Sequence, residues 1–101
     1  MNANITENES LISVDIDGRL DTANAIDFEQ LTIHLHGLKN TRIEIDCSQM
    51  VYICSMGLRV FISLLKSAQK NNTALILRGM RPDIREVFEM TGFSSLFHIL
   101  P

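Results

Sequence analysis

The chain has 101 residues, 46% of them hydrophobic, and a formal net charge of −3, which suits one domain built on one core. No apolar run approaches the roughly 20 residues that a bilayer-crossing helix needs, and the acidic balance supplies no broad positive field for nucleic acid. The opening MNANITENES lacks the basic start and apolar centre of a secretory signal, so the expectation is a cytoplasmic protein with no nucleic-acid partner and no direct membrane insertion.

In chain order, NIT reads as a short edge strand turning through ENES into LISVDID, where Ile12, Val14 and Ile16 alternate with mostly polar neighbours as in a half-buried strand. GRLD then leads into a helix with Asp21 or Thr22 as N-cap. Ala25, Phe28, Leu31, Leu35 and Leu38 recur every three or four residues, and Gly37 marks the helix end. RIEIDCS alternates again through Ile43, Ile45 and Cys47. Leu58, Phe61, Leu64, Leu65 and Ala68 form a helical stripe running to about Gln69, and the continuous apolar run of TALILRG predicts a fully buried strand. RPDIREVFEMTG fits a third helix with Pro82 in its first turn, Ile84, Val87 and Phe88 inward and Gly92 at its end; LFHIL closes the sheet. Strands separated by helices imply an α/β domain over residues 1–101, core about 11–100, with a mainly parallel sheet of four to five strands under amphipathic helices.

Side-chain chemistry along this framework is sparse. Arg78, Arg81 and Arg85 alternate with Asp83, Glu86 and Glu89, as on a solvated helix face. Cys47 and Cys54 lack the CxxC spacing of zinc or redox sites and read as buried small apolar residues. His34 and His36, two apart on a predicted helix, point in different directions, and with His98 they form no metal constellation. Neither a metal nor another cofactor is expected.

The informative stretch is VYICSMGLRVF, residues 51–61, where strand-like residues give way to a helix starting near Gly57. Ser55 suits an N-cap whose hydroxyl accepts a free amide from Gly57 or Leu58, worth about 1 kcal/mol, with Cys54 and Met56 packing beside it. The same exposed amides and helix dipole also suit a phosphoryl group. Nucleophilic catalysis fits poorly: no base lies near Cys54 or Ser55 in sequence, CSMG lacks the G-x-S-x-G elbow, and no glycine-rich phosphate loop occurs. No catalytic residue is assigned, and the chain is not expected to be an enzyme.

GRLD after a first strand, then IEIDCSQMVYICSMGLRVFISLLKSA, then RPDIREVFEMTGFSSLFHI together resemble the STAS domain, the module of bacterial anti-sigma factor antagonists and sulfate transporter tails. With no transmembrane segment, the chain looks like the free-standing antagonist type rather than a transporter tail. That resemblance implies binding to an anti-sigma factor that is also a serine kinase, release of a sigma factor, and a metal-dependent phosphatase that reverses phosphorylation. Position by position, Asp21 matches the acidic residue of the early motif and Asp46 the aspartate ending the third strand. Ser55, Gly57 and Leu58 match the junction, which in the family usually reads Asp-Ser-Ser-Gly-Leu. Cys54 stands where the family has aspartate, and Met56 where it has the phosphoacceptor serine, so Ser55 is the one neighbouring hydroxyl able to substitute. The partner-binding set implied is Asp21, Cys54, Ser55, Met56, Gly57 and Arg59. The resemblance also admits an adaptor subunit of a signalling or membrane lipid-transport complex.

Overall fold

The computed structural model describes residues 1–8, 10–92 and 94–101. Five strands, β1 (Asn2–Asn8), β2 (Leu11–Leu20), β3 (Arg42–Ile53), β4 (Ala74–Arg78) and β5 (His98–Leu100), lie in one sheet in sequence order. β1 pairs antiparallel with β2, and every later pairing is parallel. Helices α1 (Thr22–Thr32), α2 (Ser55–Lys70) and α3 (Pro82–Met90) connect the parallel strands. Because each crossover steps in the same direction along the sheet, right-handed connections place all three helices on one face. The result is two layers, with the helix-facing side of the sheet buried and its other side largely polar.

Burial follows that geometry. Ile12, Val14 and Ile16 of β2, Ile43, Ile45 and Cys47 of β3, and Leu75 and Leu77 of β4 all enter the core. Their partners at Ser13, Asp15, Asp46 and Arg78 face the open side, as strand alternation requires. Each helix contributes a phenylalanine to one aromatic chain: Phe28, Phe61 and Phe88 stack at centroid distances of 5.7 and 5.3 Å, and Phe97 continues it at 5.4 Å. Pairs in these tilted and edge-on geometries contribute beyond their burial. The chain thereby ties the helix layer together across the sheet.

Several elements differ from the sequence expectation. β1 extends beyond NIT to Asn8, so Glu7 and Asn8 belong to the strand; the turn expectation at Glu9 falls outside the described residues. β2 continues through Gly18, Arg19 and Leu20. β3 continues far past Ser48, with two register shifts against β2: Asp15 and Asp17 oppose Asp46 and Gln49, while Gly18 and Arg19 oppose Met50 and Tyr52. Each shift adds one residue to β3, the signature of a β-bulge. Asp46 therefore sits in mid-strand, not at the strand end, and its carboxylate accepts the Ser48 amide at 2.9 Å.

On the helices, α1 ends at Thr32 and a short 3-10 turn carries Ile33–Leu35, so His34 and His36 do not lie on an α-helix. Gly37, at φ +83°, terminates that turn instead. Leu31 is exposed, and Thr32 takes the inward place, its hydroxyl donating to the Phe28 carbonyl. Arg78 lies on β4, where Glu44 holds it, apart from the exposed α3 pairs Arg81–Asp83 and Arg85–Glu89.

Candidate functional site: three helix starts on one sheet edge

Parallel strands deliver their C-terminal ends to one edge of the sheet, so the β2–α1, β3–α2 and β4–α3 junctions lie there together. At the first junction Asp21 is the N-cap of α1, its carboxylate accepting the Asn24 amide at 3.0 Å. Asn24 returns a hydrogen bond from its side-chain amide to the Arg19 carbonyl at 2.8 Å, fixing the turn from strand to helix. Asp21 stays half-buried at the surface.

The second junction is joined directly to the first. The Cys54 amide donates to the Leu20 carbonyl at 3.0 Å, and the Thr22 hydroxyl points at Cys54 Sγ at 3.9 Å. Cys54, not Ser55, is the N-cap of α2, and its side chain makes no capping bond. Ser55 is the first helical residue, exposed, and its hydroxyl is unengaged among the described residues. The physical reason is the length of β3: the strand runs to Ile53, which leaves one extended residue before the helix begins. Cys54 is correspondingly half-buried and not the buried residue expected, while Cys47 is fully buried. Burial, reinforced by the Asp46 carboxylate, pushes the Cys47 thiol up to about 12.

Gly57 fixes how closely α2 approaches the sheet. A Cβ there would stand 2.9 Å from Leu20 Cδ2 and 3.0 Å from Ile53 Cγ1. Met56 and Cys54 pack half-buried against the core, and Arg59, one turn after Ser55, is exposed. The structure thus brings together Asp21, Cys54, Ser55, Met56, Gly57 and Arg59 on a single edge.

Residues absent from the sequence-derived set share the edge. The Arg19 guanidinium lies 4.2 Å from the Tyr52 ring centroid, and Tyr52 and Val51 are both exposed. This pairing follows from the hidden second half of β3. Met80, half-buried between β4 and α3, belongs to the third junction, and its signal was its place after Gly79 in another strand-to-helix turn. Thr22, the alternative cap in the sequence, is the first residue of α1 and joins the edge through its hydroxyl.

The edge mixes the carboxylates of Asp21 and Asp83 with exposed cations and soft apolar side chains, a composition suited to a protein surface. A groove of about 520 Å³ opens at the opposite edge, around Asn40, Thr41, Asn72 and Thr73, and none of the junction residues line it. Among the described residues no three His, Cys, Asp or Glu side chains converge as metal ligands, and no helix is long and apolar enough to cross a membrane.

The STAS domain family model matches residues 2–101. BtrV of Bordetella bronchiseptica, named as an anti-sigma factor antagonist, is 34% identical over 87 residues, covering 83% of this chain and 72% of that protein. The anti-sigma-B factor antagonist of Staphylococcus aureus is 28% identical over 101 residues, covering 98% of this chain and 94% of its own. A crystal structure from Thermotoga maritima, also named as an anti-sigma factor antagonist, shares the fold with a TM-score of 0.87 at 19% identity, covering 98% of this chain and 86% of the other.

Proposed function

The chain belongs to the STAS domain family, and from that premise we propose that it acts as an anti-sigma factor antagonist, a regulatory module that occupies an anti-sigma factor and so releases a sigma factor. The carrying observation is the junction edge, where the Asp21 cap and the Cys54–Ser55–Met56 helix start are joined through the Cys54 amide and the Leu20 carbonyl. Both positions matched to the family's motif therefore present to one partner surface. In this reading the work is binding, and the exposed Ser55 hydroxyl has no hydrogen-bond partner among the described residues that would serve as its base.

The partner in this reading is an anti-sigma factor of the serine kinase type, with a metal-dependent serine phosphatase as the reversing enzyme. The departure lies in the switch. A phosphoserine adds nearly two negative charges, which a packed interface rejects by repulsion and desolvation. Met56 has no hydroxyl and packs half-buried against the core. Cys54 withholds the carboxylate usual two residues earlier, which makes the contact more apolar. Ser55, exposed on the first turn with Arg59 one turn on, is the remaining acceptor. The protein in this account binds its anti-sigma factor without being efficiently phosphorylated by it.

Phosphate transfer from labelled ATP by the co-purified kinase tests this. Wild type stays unlabelled. Met56→Ser, or Cys54→Asp together with Met56→Ser where the kinase also needs the carboxylate, accepts phosphate at residue 56 and loses binding. Stoichiometric phosphate on wild-type Ser55 contradicts the reading and restores an ordinary switch displaced by one residue.

A further inference from the structure

The two outermost strands of the sheet, β1 and β5, are unlike. β5 spans only His98–Leu100, and a short edge strand offers little template for pairing. β1 spans seven residues, Asn2–Asn8, about 24 Å of extended chain. It pairs with β2 residue for residue without a bulge, and its other side faces no strand among the described residues. It contains no Lys and no Pro, and its one charge, Glu7, is drawn back to His34 at 3.2 Å. Of the devices that blunt an edge strand, β1 carries one, the helix-facing charge of Glu7, and that charge is already engaged by His34; bulge, proline, lysine and short length are all missing from it.

We infer that the β1 edge is a self-association surface, on which a second copy of this chain pairs antiparallel about a two-fold axis through Ile5 and makes one continuous sheet. That register is self-complementary. On the open face Asn2 meets Asn8 of the other copy and Asn4 meets Thr6, pairs whose side chains can hydrogen-bond across the strands. On the helix face Ile5 meets its own copy and Glu7 meets Ala3, so no two charges oppose each other. The helix layer continues the match. His34, on the 3-10 turn after α1, reaches Glu7 and so sets that turn over β1; Leu31, three residues earlier on α1, is 40% exposed. The two-fold axis would bring the two His34 turns side by side above the Ile5 pair, on the layer where Leu31 is exposed. A symmetric arrangement of this kind closes on itself and leaves only the short β5 edges free.

The register makes a discriminating test. With Ile5→Cys the two thiols face each other at the separation of directly opposed residues, within disulfide reach. With Glu7→Cys they stand about 14 Å apart, offset by four residues along the strand. Mild oxidation, with wild type treated in parallel as the background from Cys54, is expected to link Ile5→Cys into dimers and to leave Glu7→Cys at background. Sedimentation of wild type over a concentration series is expected to shift to twice the chain mass, and Ile5→Lys, which sets like charges opposite each other, to remain at the single-chain mass with an unchanged circular dichroism spectrum. A wild-type protein that sediments as a monomer up to hundreds of micromolar overturns the inference whether or not Ile5→Lys folds. So does equal cross-linking of Ile5→Cys and Glu7→Cys.

Discussion

Gly57→Ala adds one methyl group where α2 meets the sheet, and its effect can be worked from the surroundings. The new Cβ would lie 2.9 Å from Leu20 Cδ2, 3.0 Å from Leu20 Cγ and 3.0 Å from Ile53 Cγ1, all well inside van der Waals contact. Neither neighbour has free space to retreat into, because Leu20 is 0% and Ile53 5% exposed. Overpacking of this kind costs about 1–3 kcal/mol. Against it stands the helix preference for Ala over Gly, at most about 1 kcal/mol, and smaller here because residue 57 lies in the first turn. The expected net effect is a loss of about 1 kcal/mol, which for a domain of this size lowers Tm by about 4–8 °C.

Urea unfolding followed by circular dichroism measures that loss. The Leu20→Ala background isolates the Leu20 part of the cause: with that side chain shortened only the Ile53 contact at 3.0 Å remains, and Gly57→Ala is expected to cost clearly less there. Equal cost in both backgrounds, or a Tm that rises in the otherwise wild-type chain, refutes the close-packing argument. Displacement of α2 also moves Ser55 and Met56, so partner affinity is expected to fall in Gly57→Ala and to recover partly in the double variant.

Asp21→Ala removes the α1 cap, leaves the Asn24 amide without its acceptor, and is expected to lower stability by about 1 kcal/mol, measured by the same unfolding assay. Asp21→Asn, which retains an acceptor oxygen, is expected to recover most of that loss. Glu44 is held below its ordinary pKa of 4.5, first by its hydrogen bond from Arg78 and secondarily by Arg42, against an opposing effect of desolvation. A carboxylate with a lowered folded-state pKa contributes stability that is fully present above its unfolded pKa and is lost as pH falls through the folded value. Glu44→Gln is therefore expected to flatten the acid limb of a stability profile below pH 4.5, and an unchanged limb counts against the Arg78–Glu44 contact. For the two thiols, a disulfide reagent at neutral pH is expected to modify Cys54 in the native protein and to reach Cys47 only after unfolding, because Cys47 is buried with its pKa pushed up to about 12.

The residues that were legible in the sequence are those whose pattern reports a single environment. The stripe from Leu58 to Ala68 faces one core, and the apolar centre of β4 is covered on both sides: Leu75 and Leu77 face the helices, and Ile76, set between Glu44 and His98, is 1% exposed. Asp21 showed itself as a cap because short acidic side chains belong at that position. The second half of β3 was hidden because its bulges move the inward residues from Ile43, Ile45 and Cys47 to Met50 and Ile53, which breaks a period of two twice. The sequence places Ser55 within one residue of the cap, which is Cys54, and the Arg19–Tyr52 pairing was lost with the hidden half of the strand. Leu31 fitted the α1 stripe by spacing, yet Thr32 took the inward place. Spacing alone cannot distinguish a helix covered on both flanks from one whose flank lies over an edge strand.

The junction edge, and not another surface, is expected to hold the anti-sigma factor. Affinity capture from the native extract, with the bound proteins identified and their affinity then measured by titration, tests it most directly when wild type is compared with two exposed substitutions at opposite ends of α2. Ser55→Arg places bulk and charge at the edge, and Gln69→Arg does the same at the far end of the helix. The account predicts an anti-sigma factor captured by wild type and by Gln69→Arg, with affinity reduced at least about tenfold, or roughly 1.4 kcal/mol, in Ser55→Arg. Equal affinity for all three proteins, or loss in Gln69→Arg alone, would contradict it.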